Sequence, residues 1–279
     1  MKSSTQLKAL IRNLAKKKNI NAQILMRNYM FERLLERISL SKYRSNFVLK
    51  GGMLVAAMVG LDTRSTMDMD ATIKGYPLSE ETIKEVFENI LAVSIDDGTQ
   101  MRIKGIESIR DEADYNGLRV SLEALFDGIR TPLKIDITVG DKITPRETLY
   151  RFNLMFEERQ IDIFAYNLET VLAEKLETII SRGTTNTRMR DFYDIYILQK
   201  MHSEILDKEL LAKALVSTSI NRGTYGVLAE GQTIINEVSK DIFMQKLWEN
   251  YRKKYSYTED IRWDEVIVAV NEIWQVAKD

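Results

Sequence analysis

Asp68 and Asp70 stand one residue apart in the segment RSTMDMDATI, residues 64–73. If that segment is a strand, residues i and i+2 project to the same side. The two carboxylates then lie close enough to repel, unless a cation or solvent relieves them. A hard divalent ion with oxygen ligands, Mg²⁺ or Mn²⁺, does this directly. A further aspartate occupies the same kind of position in LKIDITVGD. There Leu133, Ile135, Ile137 and Val139 make one face, and Lys134, Asp136 and Thr138 make the other. If the two strands share a sheet, Asp68, Asp70 and Asp136 form a candidate metal site. Such a site can hold two ions, one activating an attacking hydroxyl and the other holding a triphosphate. The competing account is a sheet with one solvated face, which also produces alternation.

The second chemical signal lies just upstream. Gly51 and Gly52 follow the short apolar run Phe47-Val48-Leu49 and open an apolar, helix-like stretch. Backbone N–H groups laid bare by glycine at a helix start attract phosphate. A tight strand-to-helix turn with no ligand would use the same residues. Arg64 is a candidate phosphate contact, or else a solvated surface residue. Lys175 falls on the apolar stripe of a predicted helix (Leu168, Val171, Leu172, Leu176, Ile179), so it either snorkels to solvent or reaches into a site. Asp191 and Asp194 are three apart and share a helix face. They bind or position something there, or they cap the helix start and pair with Arg188 and Arg190.

These residues need elements to hold them. Apolar positions at three- and four-residue spacing predict helix over residues 4–41, with Lys16, Lys17 and Lys18 as a solvated link between two patterns. Strands are expected at 47–49, 67–73, 101–109, 118–125 and 133–139, and helices at 52–61 and 79–93. Turn signals stand at Asn116-Gly117 and Asp127-Gly128. From residue 167 the pattern is helical, with candidates at 167–182, 189–201, 207–216, 224–237, 240–255 and 261–277. The expected architecture is α+β. A first domain, 1–165, holds N-terminal helices and a small mixed sheet with flanking helices. A helical C-terminal domain, 166–279, follows it.

Bulk composition narrows the chemistry. The 279 residues include 41 acidic and 40 basic side chains, so a nucleic-acid partner needs a local basic patch. With no cysteine, disulfides, cysteine nucleophiles and thiolate zinc sites are excluded, and the single histidine, His202, leaves little room for histidine catalysis. The N-terminus lacks the pattern of a signal peptide, and no apolar run is long enough for a membrane span. A cytoplasmic protein with no membrane partner is expected.

Gly-Gly at a helix start, Asp-x-Asp on the next strand and a lone Asp on a later strand resemble the nucleotidyltransferase superfamily of the DNA polymerase β type. More closely, Lys50-Gly51-Gly52, Arg64-Ser65-Thr66-Met67-Asp68-Met69-Asp70, Leu172-Ala173-Glu174-Lys175-Leu176 and Arg188-Met189-Arg190-Asp191-Phe192-Tyr193-Asp194-Ile195 look like the AbiEii/AbiGii toxins of toxin–antitoxin systems. The resemblance spans about residues 45–200. It implies a nucleotidyltransferase-type sheet and metal-dependent transfer from a nucleoside triphosphate, with tRNA as the expected acceptor. It further implies a separately encoded antitoxin and a monomeric toxin of the abortive-infection (type IV) class, active in phage defence. It implies that Lys175 grips the phosphates, and that the Asp191/Asp194 segment closes the active cleft and orients Lys175 or touches base or sugar. Arg182, Arg188 and Arg190, with Arg64, would supply the basic patch for tRNA. One departure is Gly52, where many superfamily members carry a serine that helps hold phosphate. Asp68-Met69-Asp70-Ala71-Thr72 also fits the DxDxT motif of haloacid-dehalogenase-type phosphohydrolases, in which one Asp is phosphorylated. A non-catalytic protein-binding scaffold is a third possibility.

Overall fold

The computed structural model describes residues 3–110 and 116–278. It forms two compact units. One comprises Met1–Gly140 with Thr148–Ala165, and the other Asp141–Glu147 with Tyr166–Asp279.

The first unit opens with helices α1 (Ser4–Lys18) and α2 (Ala22–Leu40). Ser3 caps α1 by accepting from the Gln6 amide, and Asn21 caps α2 by accepting from the Gln23 amide. Lys16, Lys17 and Lys18 prove to be the last turn of α1, where the helix dipole favours cations, and not a linker. Asn19, in the left-handed region at φ 52°, ends that helix.

A seven-stranded mixed sheet follows. Its strands are β1 (Phe47–Lys50), β2 (Met69–Ile73), β3 (Thr99–Arg110), β4 (Asn116–Phe126), β5 (Ile129–Thr138), β6 (Thr148–Asn153) and β7 (Gln160–Ala165). Their order is β3-β4-β5-β2-β1-β7-β6. Helix α3 (Gly51–Val59) follows β1 directly, and α4 (Glu80–Leu91) begins behind the cap Ser79 with Glu80 and Glu81 in its first turn, as expected. β2 is central, flanked by antiparallel β1 and parallel β5. It is shorter than predicted, so Met67 and Asp68 precede the strand.

Two further differences concern turns and strands. Asp127-Gly128 is the expected turn, with both residues at positive φ. Asn116-Gly117 is not a turn: both residues pair within β4, opposite Arg110 and Ile109. β6 and β7 lie where the sequence pattern predicts no strand, although Gln160–Ala165 alternates between exposed and buried positions. The hairpin matters because β7 runs parallel to β1 and covers its outer side.

Apolar side chains of β4 and β5 (Leu118, Val120, Leu122, Ala124, Leu133, Ile135, Ile137) make the core face with Phe31, Leu34 and Leu35 of α2. α2 packs against β5 and β7, and it brings buried charges with it. Arg37 grips Asp97 with two hydrogen bonds of 2.7 and 3.0 Å, and also donates to the Thr99 carbonyl at 2.7 Å. Glu32 accepts the Met155 amide at 3.0 Å, and burial pushes its carboxyl up to about 8.

The second unit is built from α5 (Leu168–Arg182), α6 (Met189–His202), α7 (Lys208–Asn221), α8 (Gly231–Lys240), α9 (Ile242–Lys254) and α10 (Trp263–Lys278). Residues 225–230, read as the start of a helix, form a 3₁₀ segment instead. The next helix begins at Gly231, where a Cβ would lie 2.6 Å from the Trp274 ring. Asn167 caps α5 and also donates to the Thr144 carbonyl at 2.6 Å, holding the segment 141–147 to that helix. No helix among the described residues is long and apolar enough to cross a membrane.

The Arg37–Asp97 pair fixes where β3 starts. Arg37→Met should therefore cost about 3–5 kcal/mol, the usual penalty for stripping a buried carboxylate of its cation. Urea unfolding checks this as a fall in midpoint at unchanged slope. A loss below about 1 kcal/mol would show that the pair is not an anchor.

Candidate functional site

The turn from β1 into α3 sets the first piece of geometry. Lys50 is extended and makes no side-chain cap, and Gly51 takes φ +64°. A Cβ on Gly51 would lie 2.2 Å from Asp70 Oδ2, so the carboxylate fills the space a side chain would need. The Gly52 amide donates to that same oxygen at 3.3 Å. Asp70 thus serves α3 as an N-cap from a neighbouring strand. This satisfies an N–H that the helix leaves unpaired and places a negative charge at the positive end of the dipole. The amide predicted to attract phosphate is held here by an anion of the protein itself.

The loop before β2 wraps onto the same helix start. A Cβ on Gly52 would meet Thr66 Oγ1 at 3.1 Å and Arg64 Nη2 at 3.4 Å. Thr66 Oγ1 donates to the Asp68 carbonyl at 3.0 Å. From α2, Asn28 donates to the Thr66 carbonyl at 3.0 Å and Arg27 to the Met67 carbonyl at 3.2 Å. These bonds fix the backbone that carries Asp68. Arg64 is buried, and its guanidinium donates to the Ser65 carbonyl, so it is not the solvated surface residue that was one of its two expected states. Its cation lies against the N-terminus of α3.

Strand register brings the third aspartate in. Asp70 is the direct partner of Asp136 across the parallel β2–β5 pair. The row continues in both directions: Asp70 opposes Lys50, Asp136 opposes Arg119, and Arg119 opposes Glu107. Residues in one row share a face, so Asp70 and Asp136 project together as predicted. Arg119 was not foreseen. Its Nε and Nη2 grip both oxygens of Asp136 at 2.7 and 2.8 Å. That fork, with the charge of Asp136 and of Asp68, holds the guanidinium well above its ordinary range. Alternation in Leu118-Arg119-Val120-Ser121-Leu122 puts Arg119 on the polar face, but only the register shows which carboxylate it meets. Among the described residues no three His, Asp or Glu side chains converge on a common point as they stand.

Asp68 and Asp70 lie at the N-terminal end of β2. The DxDxT motif ends its strand instead, so the phosphohydrolase alternative does not match this placement.

The second unit holds the other predicted residues. Lys175 on α5 is buried. Its Nζ lies 2.6 Å from Asp191 Oδ1 and 3.1 Å from Asp194 Oδ2 on α6, and both carboxylates are 0% exposed. Lys175 therefore does not snorkel to solvent. Arg188 Nε approaches Asp191 Oδ2 at 2.9 Å. Asp191 does sit in the first turn of α6, yet its carboxylate faces Lys175 and Arg188 rather than the helix amides expected of a cap. Burial raises the Asp191 carboxyl, but Lys175 and Arg188 outweigh it and hold it down at about 2. Of the arginines offered as a basic patch, Arg188 is committed to Asp191, while Arg190 is exposed. Nearby, Arg222 joins Glu174 at 3.2 Å and Glu177 at 2.5 Å, which ties α5 to the end of α7.

A family described as nucleotidyl transferase AbiEii toxin, type IV toxin–antitoxin system, matches residues 33–269. No curated protein matches the sequence. Among solved structures, the chain is similar to a candidate nucleotidyltransferase from H. pylori. That likeness has 16% identity and a TM-score of 0.51, covering 93% of this chain and 96% of the other. It is also similar to JHP933 from Helicobacter pylori, with 15% identity and a TM-score of 0.50, covering 92% and 93%. At such identities the likeness is one of fold.

The buried Lys175 cluster predicts a stability effect. Lys175→Ala leaves two buried carboxylates short of a cation and should cost about 3–5 kcal/mol, far more than alanine's helix propensity returns. The pH dependence follows from the depressed Asp191 carboxyl. Its stabilising contribution is full above the ordinary value of 3.8 and is lost as pH falls toward about 2. Urea melts of the parent from pH 6 down to 2 should show that loss, and Lys175→Ala should show much less of it. A variant as stable as the parent at pH 7 would contradict the role given to the cluster.

Proposed function

We propose, from the premise that the chain belongs to the AbiEii nucleotidyltransferase toxin family of type IV toxin–antitoxin systems, that it moves a nucleotide from a nucleoside triphosphate onto RNA, with tRNA the acceptor of choice. It does so in the cytoplasm as a monomer. It halts growth in defence against phage until the separately encoded antitoxin counters it. The observation that carries this reading is the meeting of Gly51, Gly52 and Asp70 at the start of α3, with Asp136 in register beside them.

The donor set suits a hard cation. Three carboxylates lie at or beside one sheet row, the space for a side chain at Gly51 is given to Asp70, and a guanidinium stands where positive charge is needed. Asp68, Asp70 and Asp136 would hold Mg²⁺ or Mn²⁺, which when bound supplies charge neutralisation for the triphosphate and a more acidic attacking hydroxyl. The remaining work belongs to the chain. The Gly51 amide and the Arg64 guanidinium offer positive potential to phosphate oxygens at the N-terminus of α3, and the Gly52 amide would join them once Asp70 turns from it to a bound ion. Within the second unit, Asp191 and Asp194 set the position of the Lys175 ammonium, so these two act as positioning residues for it. The acceptor hydroxyl gives up its proton to solvent, its oxygen bonds to the α-phosphorus, the bond from that phosphorus to the bridging oxygen breaks, and pyrophosphate leaves. Fixed charges aimed at the transferring group account for most of the rate in reactions of this kind.

The direct test is to incubate the protein with total RNA and each α-labelled nucleoside triphosphate in turn, with and without Mg²⁺. Label should enter RNA of tRNA size only with Mg²⁺. Asp68→Asn and Asp70→Asn should each lower transfer by roughly a hundredfold or more. Label entering protein would overturn the acceptor assignment. Full transfer in excess chelator would overturn the metal assignment.

A further inference from the structure

We infer that Arg119 is the resident counter-ion of the carboxylate row, and that it yields Asp136 to a divalent cation when one binds. This rests on the metal reading above and adds a residue outside the motifs on which the resemblance rests.

Four observations support it. Asp70 and Asp136 sit in register on neighbouring strands, which are about 4.8 Å apart, and Asp68 lies two residues from Asp70. Without a bound ion, a cluster of like charges this close needs a positive charge from the protein. Arg119 supplies it, since its fork takes both Asp136 oxygens at 2.7 and 2.8 Å and Asp68 also acts on its charge. A carboxylate gripped in this way has its best lone pairs engaged, so it can ligate an ion only if the fork opens.

Opening is eased by water. The Arg119 and Asp136 side chains are 29% and 21% exposed, so solvent can take up the hydrogen bonds that the fork gives up. The Lys175 cluster is the contrast, because its carboxylates are fully buried and breaking it is costly. Arg119 also has an alternative partner. Glu107, exposed on β3, is its neighbour on the side away from Asp136 and already contributes to holding its charge. A guanidinium swung toward Glu107 or solvent leaves Asp136 facing Asp70.

The test measures metal binding apart from catalysis. Mn²⁺ is titrated, without nucleotide, into the parent, Arg119→Ala, Arg119→Ala/Asp136→Asn and Arg130→Ala, and free Mn²⁺ is read by electron paramagnetic resonance. Arg130→Ala removes an equal charge from the same strand as Asp136 without releasing that carboxylate. A melt of each variant in chelator confirms that it is folded. Arg119→Ala should bind Mn²⁺ at least fivefold more tightly than the parent. The gain should vanish in the double variant, and Arg130→Ala should match the parent. Crystals of the parent soaked in Mn²⁺ should show anomalous density at Asp136 together with loss of the Arg119 fork. Equal affinity in parent and Arg119→Ala, or an intact fork beside bound Mn²⁺, overturns the exchange and leaves the metal reading standing. Mn²⁺ binding to neither protein defeats the metal reading, and the exchange with it.

Discussion

Like charges gathered at one end of a central strand set the terms for much of the first unit. Asp68 and Asp70 flank the start of β2, and parallel pairing adds Asp136. Each has its own form of relief. Asp70 turns onto the exposed N-terminus of α3, where a helix amide and the dipole accept it. Asp136 takes the Arg119 fork. Asp68 shares the positive charge of Arg119. The left-handed Gly51 follows from the same constraint, because any side chain there would displace the Asp70 carboxylate.

The two units handle charge differently. In the second, Lys175, Asp191 and Asp194 are enclosed, so their geometry is rigid and costly to break. In the first, the Arg119–Asp136 pair is partly wet and can rearrange.

Much of this was legible in the chain, for identifiable reasons. Alternation at 67–73 and 133–139 reports a strand face, although β2 takes up only Met69–Ile73 of the first, and Gly51-Gly52 before an apolar run reports a strand-to-helix turn. Local patterns of this kind survive folding. The parts that were not legible depend on pairing between distant segments. Arg119 could be placed on a polar face but not against Asp136 without the β4–β5 register. Asn116-Gly117 has turn chemistry, yet tertiary pairing holds it in β4. Lys175 lies on an apolar stripe, and whether it escapes to water depends on α6, sixteen residues further on to Asp191. β6 shows one strongly buried side chain, Phe152, because it is an edge strand, and that leaves little periodicity to read.

The order of the strands also bears on how the chain matures. β1 and β2 carry the glycines and the Asp pair and are made early, but β1 receives its outer neighbour only when β7 emerges. In between, the chain leaves the first unit for Asp141–Glu147, whose anchor, Asn167, has not yet been synthesised. During translation, then, once β5 has emerged from the ribosome every carboxylate of the row is present on a sheet still open on one side until β7 follows. During that interval the polypeptide holds its carboxylate row and still lacks the outer neighbour of β1 and the whole Lys175 cluster.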